Sequence, residues 1–329
     1  MKSVAFFTNK GGVGKTTLVC NLAAYLSIYH GRRVLVVDVD PQTNATQYMF
    51  DDNVVSEIYD KKDAYTIFSV TQPLSKGRGF STQHRFRKSP HFEVDVLMGD
   101  PRFALIEDVL APDWNSAGVR GLRTTFVFRH FLQSCGDYDY VFFDMGPSLG
   151  SINRSVLIGC DYFVLPISID IFSIRATENI STWISAWKSK LIRDLEVLSD
   201  LSDLEVEDTA WKLKLLGYVS QQYTAKRTAG GKRVAVKAYE KIMRQIPASI
   251  NRGIVQNHQP NPAGFDYELG TIPNLHSLIP MSQVERKPLF ALKSADGIVG
   301  SHFTRVAAAL ENYSSIASRF EDNIELIDD

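Results

Sequence analysis

Along this chain, short continuous apolar runs alternate with stretches of helical period. Val4-Ala5-Phe6-Phe7, the run inside Arg33 to Asp40, Tyr140-Val141-Phe142-Phe143, Tyr162 to Ile167 and Leu215 to Val219 are apolar at successive positions. A strand covered on both faces has no polar side to show, so this pattern predicts buried parallel strands. Leu18 to Leu26 reads as a helix after the first run. Strands separated by helices predict an α/β fold: a doubly wound, mostly parallel β-sheet with helices on both faces. Asp51 to Pro90 is the least regular stretch and reads as a helix plus a long surface excursion. Near 302–327 the apolar residues Phe303, Val306, Leu310, Tyr313, Ala317, Phe320, Ile324 and Ile327 fall three and four apart, which predicts one amphipathic helix.

Composition narrows the class. With 329 residues, 44% of them hydrophobic, and a formal net charge of −1, the chain can bury a substantial core, and it reads as a single domain, 1–329. No run of about twenty apolar residues suggests a membrane span, and no leader is legible. Cys20, Cys135 and Cys160 lack metal-ligand spacing, which suggests reduced thiols and a cytoplasmic location. Charge is uneven. Between 212 and 252 lie Lys212, Lys214, Lys226, Arg227, Lys232, Arg233, Lys237, Lys241, Arg244 and Arg252, with Glu240 the only acid, so the segment carries +10 − 1 = +9. The polar face of the C-terminal helix carries Glu311, Glu321, Asp322, Glu325, Asp328 and Asp329, which an anionic membrane would repel. Packing against the sheet is the expectation for that helix, with no membrane contact.

The chemistry begins where the first strand ends. Asn9-Lys10-Gly11-Gly12-Val13-Gly14-Lys15-Thr16-Thr17 joins strand to helix. Glycines let backbone N–H groups close around phosphate oxygens, and the following helix turns its positive end toward the same anion. Lys15 is placed for the β and γ phosphates of ATP, and the Thr16 hydroxyl for Mg²⁺. The usual pattern has glycine where Asn9 stands, and the second lysine, Lys10, makes this a deviant form. Asp38 and Asp40 leave the end of the second strand run and Asp144 the end of a third, where an open α/β sheet faces its ligand.

These residues resemble the ParA/MinD family of deviant P-loop ATPases, closest to its partition branch. The resemblance rests on Lys10 to Thr17, Asn21 to Leu26, Asp38-Val-Asp-Pro-Gln-Thr-Asn-Ala-Thr46 and Asp144-Met-Gly-Pro-Ser-Leu-Gly150, with an echo in Ile279-Pro280-Met281-Ser282. It implies a Mg²⁺-dependent ATPase that forms a homodimer around ATP. Lys10 would reach the phosphates held by the partner subunit, Lys15 the phosphates in its own subunit, and Thr17 the α-phosphate. Asp40 would position the attacking water, Asp38 would support the metal, Asp144 would hold a metal-bound water, and Pro280 and Met281 would flank adenine. It further implies nonspecific DNA binding, for which Lys226, Arg227, Lys232 and Arg233 are the candidates, an activator or adaptor protein as partner, and residence on the nucleoid. Two positions depart from the family: Met145-Gly146, where glycine suggests a more mobile turn, and Thr43, where glycine is usual and an altered loop shape is expected. The iron-protein branch needs a cysteine pair that this spacing does not offer, and amidoligase-like enzymes usually lack the second lysine. A regulatory or positioning ATPase, including one in a defence operon, differs from partition only in its partner.

Overall fold

The computed structural model describes all residues except 62, 63, 117, 224, 228–232, 236, 260, 261, 263 and 329, and leaves the side chains of 174, 222–238 and 257 undescribed. Ten strands are present among the described residues: β1 (Lys2–Phe6), β2 (Val34–Asp38), β3 (Arg87–Lys88), β4 (Asp95–Leu97), β5 (Tyr140–Asp144), β6 (Tyr162–Ser168), β7 (Lys214–Tyr223), β8 (Ala225–Arg227), β9 (Arg233–Ala235) and β10 (Glu268–Pro273). Eight form one sheet in the order β10-β7-β6-β1-β5-β2-β4-β3, and β8 and β9 form a separate antiparallel pair. Every pairing in the large sheet is parallel except β3 with β4 at one edge.

The central strands β2 and β5 are buried end to end, and β1 and β6 at all but one terminal residue, as their mostly apolar character requires. Successive residues still point to opposite faces. Val4, Phe6, Val36 and Phe142 join one core with the Lys15–His30 and His302–Asp328 helices. Ala5, Phe7, Val37 and Phe143 join the other, with the Val127–Gln133, Ser151–Gly159 and Ile171–Glu196 helices. The excursion after Asp51 contains the helices Asp52–Asp60 and Ile67–Ser75 and then returns as the edge strand β3. The C-terminal helix packs Tyr313, Ile316, Ala317 and Phe320 into the first core, while Phe303 is 48% exposed. Glu321 does not lie on its solvent face. Its carboxylate accepts from Arg32 Nε and pairs with His30 Nδ1, both at 2.7 Å, and takes the Tyr140 hydroxyl at 3.1 Å. Burial alone would raise that carboxyl, but these hydrogen bonds and charges outweigh it and hold it below its ordinary range.

Candidate functional site

Parallel register sets the site, because it brings the ends of β1, β2 and β5 level: Phe6 pairs with Asp144, and Asp144 with Asp38. The loop after β1 then bends back over these ends. Gly12 and Gly14 take φ of 74° and 86°, a left-handed backbone open to glycine. A cleft of about 510 Å³ lies above the loop, lined by Lys10 through Thr17 and, from other elements, by Asp40, Asn44, Tyr48, Pro147, Gln283 and Arg286 among others.

Lys15 and Thr16 converge on one carboxylate. Lys15 Nζ lies 2.8 Å from Asp144 Oδ1, and the Thr16 hydroxyl donates to Asp144 Oδ2 at 2.7 Å. Asp144 is fully buried and Lys15 is 8% exposed, so this pair is preset in a dry environment. Asp40 lines the cleft, with Oδ1 accepting from the Gln42 amide at 3.0 Å. Asp38 lies behind it: Oδ2 accepts from the Thr46 amide at 2.8 Å and hydroxyl at 2.7 Å, while Oδ1 has no partner among the described residues. Burial, and then the charge of Asp144, push the Asp38 carboxyl up to about 7. The Thr16 hydroxyl, the Asp144 carboxylate and the unpartnered Asp38 Oδ1 are hard oxygen donors of the kind that fits Mg²⁺.

Lys10 behaves differently. Its side chain is 41% exposed and its ammonium turns away from Asp144, to the Ser168 hydroxyl at 3.0 Å and to the Asp170 carboxylate. Asp170 also caps the Ile171–Glu196 helix, accepting from Phe172 and Ser173 amides at 3.0 Å. Lys10 stands between the nucleotide-sized cleft and a second cavity beneath that helix.

Several supporting residues act through contacts that only the fold creates. Gln221, near the end of β7 and 3% exposed, reaches the Val13 and Gly14 carbonyls at 3.2 Å when its nitrogen faces them, steadying the loop from below. Asn21 donates to the Thr17 carbonyl at 2.9 Å and accepts from the Leu289 amide at 2.7 Å, so it ties the loop helix to a segment remote in sequence. Asn153 donates to the Gly146 and Ser148 carbonyls, each at 2.7 Å. The turn that Gly146 suggested as mobile is therefore fastened. Glu107 receives the Ser151 amide and, at 3.0 Å, the Ile152 amide, capping the Ser151–Gly159 helix from a distant element.

Other sequence expectations meet the structure less directly. Pro280 and Met281 sit on the Leu278–Val284 helix but do not line the cleft; Gln283 and Arg286, about one turn further on, do. The helix turns that face of the echo motif toward the core, where Met281 packs. Thr43 adopts φ of 55°, so the backbone keeps the conformation that glycine would favour in spite of the β-branched side chain. Lys226, Arg227 and Arg233 fall on β8 and β9 with their side chains outside the described residues, and Lys232 lies wholly outside them. Cys20, Cys135 and Cys160 are all fully buried.

Fold and loop together define a P-loop nucleoside triphosphatase. Residues 1–197 match the model of an AAA domain family. The Bacillus subtilis sporulation initiation inhibitor protein Soj is 28% identical over 202 residues, covering 60% of this chain and 70% of that protein. A Corynebacterium diphtheriae structure superposes with a TM-score of 0.71 at 27% identity, covering 98% of this chain and 99% of the other. A plasmid partition protein structure from Borrelia burgdorferi bound to AMPPNP, at 16% identity, shares the fold with a TM-score of 0.58 over 98% of each chain. The chain belongs to the ParA/MinD family of P-loop ATPases. No described helix is long and apolar enough to cross a membrane.

Proposed function

We propose that this ParA-like ATPase binds Mg²⁺-ATP in the cleft, closes into a homodimer around it, and uses hydrolysis to switch its affinity for DNA and for an activator or adaptor protein in the cytoplasm, on the nucleoid. The observation that carries the proposal is the division of labour between the two lysines. Lys15 is buried on Asp144, where it serves its own subunit's phosphates; Lys10 is half exposed at the rim, on a side chain long enough to be lent elsewhere. In phosphoryl transfer a protein mainly orients water and offsets charge. Asp40, at the cleft surface, orients the attacking water; the Gly12 and Gly14 backbone and Lys15 hold the phosphates; Gln283 and Arg286 border the base. Thr16 and Asp144, supported by Asp38, would hold Mg²⁺, which offsets phosphate charge when bound. The γ-phosphate then stabilises a dimer that ADP does not, so turnover shifts a population.

Light scattering on the Asp40→Ala protein tests this. The expected outcome is a dimer with ATP and a monomer with ADP, and adding Lys10→Ala returns the ATP sample to monomer. A monomer under both nucleotides refutes the sandwich.

A further inference from the structure

Two buried arginines on neighbouring helices are treated differently by the fold. Arg129, on the Val127–Gln133 helix and 6% exposed, directs its guanidinium at backbone, donating to the Asp208 carbonyl at 3.1 Å and the Ile158 carbonyl at 2.6 Å. Arg154, near the start of the Ser151–Gly159 helix and 9% exposed, makes no side-chain hydrogen bond and no ion pair among the described residues. Its Nε is sealed from solvent without a partner, which leaves the two terminal nitrogens to face outward. Burial pulls the guanidinium down to about 10, and the Glu107 charge opposes that shift. The Glu107 carboxylate is already occupied by the Ser151 and Ile152 amides.

Arg154 lies instead over the Trp114 ring, 4.2 Å from its centre, near the end of the Glu107–Asn115 helix. Lys190 of the Ile171–Glu196 helix lies over the same ring at 5.0 Å and pairs with Asp194 at 2.6 Å. Three helices thus bring one partly buried indole and two cations together, and only Lys190 is matched by an acid. A cation–π contact is worth less than the hydration a guanidinium loses on burial, so the ring offsets part of the cost and leaves the rest. A guanidinium in that state gains most from an anion that accepts its fork of N–H groups.

The surroundings select the anion. Two cations, Arg154 and Lys190, stand among two acids, Glu107 and Asp194, so the neighbourhood is neutral and has no field to draw a phosphate dianion or a polyanion. A single carboxylate matches the single unmatched guanidinium, and the indole beside it supplies the apolar contact that makes tryptophan and arginine frequent anchors at protein interfaces. The preceding residue, Asn153, holds the Gly146 and Ser148 carbonyls, so an occupant here would sit next to the turn that follows Asp144.

We propose that Arg154, with Trp114 as its platform, is a docking site for an Asp or Glu side chain of a partner protein. The site does not depend on the nucleotide switch and is tested on the nucleotide-free full chain. The Arg154 Nε–H NMR signal, identified by its loss in Arg154→Met and in Arg154→Lys, is followed as a blocked glycyl-glutamyl-glycine peptide is added at constant ionic strength. The glutamyl peptide is expected to shift the signal and saturate it in the millimolar range, while the glutaminyl peptide leaves it in place. Because Arg154→Met removes an unmatched buried charge, it is expected to raise the melting temperature by about 2 °C or more. Three results overturn the proposal: a signal that neither peptide moves, inorganic phosphate saturating it at a lower concentration than the glutamyl peptide, or a lower melting temperature for Arg154→Met, which would make the stack on Trp114 purely structural.

Discussion

The loop end of the cleft and the end bordered by Gln283 and Arg286 are built on different principles. At the loop end, a left-handed glycine backbone, a buried lysine and two strand-terminal carboxylates are locked by short, dry hydrogen bonds. At the other end, Gln283 on the Leu278–Val284 helix and Arg286 just beyond it border the cleft, and Arg286, itself at φ 51°, reaches Asp52 at 2.6 Å, with Asp52 86% exposed. One end is preorganised for charge and the other is a clasp in solvent. Affinity should therefore depend steeply on residues at the first and weakly on those at the second.

Lys15→Ala should break this contrast most severely. It removes the phosphate cation and leaves Asp144 buried without its partner, so calorimetry should show ATP affinity falling roughly 100-fold or more, and the nucleotide-free protein should lose about 3 kcal/mol or more of stability. Unchanged melting with lost affinity would show that the pair is not a structural unit. Gly99→Ala probes the rigidity behind the loop: an added Cβ would lie 2.8 Å from Asp38 Oδ2 and 2.9 Å from Thr43 Cγ2. Overpacking of this kind costs about 1 to 3 kcal/mol, read as a lower melting temperature, together with weakened nucleotide binding. Arg286→Ala should do least, a two- to fivefold loss of ATP affinity by titration and a stability change within about 0.5 kcal/mol, since an exposed ion pair contributes little. A loss as large as that of Lys15→Ala would mean this end is as rigid as the other.

Legibility in sequence follows the same divide. The phosphate loop, Asp40 and Asp144 could be read because backbone chemistry demands particular residues at particular distances from a strand end. The doubly wound sheet could be read because strands covered on both faces must be apolar throughout. Asn153, Gln221 and Glu107 could not be read, since each works through a contact that only the fold creates, as Glu107 does with Ile152; Asn21 stands in a motif, but its bond to Leu289 is made only by the fold. Pro280 and Met281 do not line the cleft while Gln283 and Arg286, about one helical turn on, do, because a four-residue echo does not specify which face of a short helix looks inward.

Glu107 carries one more consequence. By occupying the first free amides of the Ser151–Gly159 helix, its carboxylate acts as a tether between that helix and the segment that follows β4. The turn from Gly146 to Gly150 thus lies between two anchors, Asp144 at the end of β5 and this remote acid. Any shift of the turn must either carry the Glu107–Asn115 helix along or strand a half-buried negative charge, so a displacement beside the cleft has a mechanical route to a surface far from it.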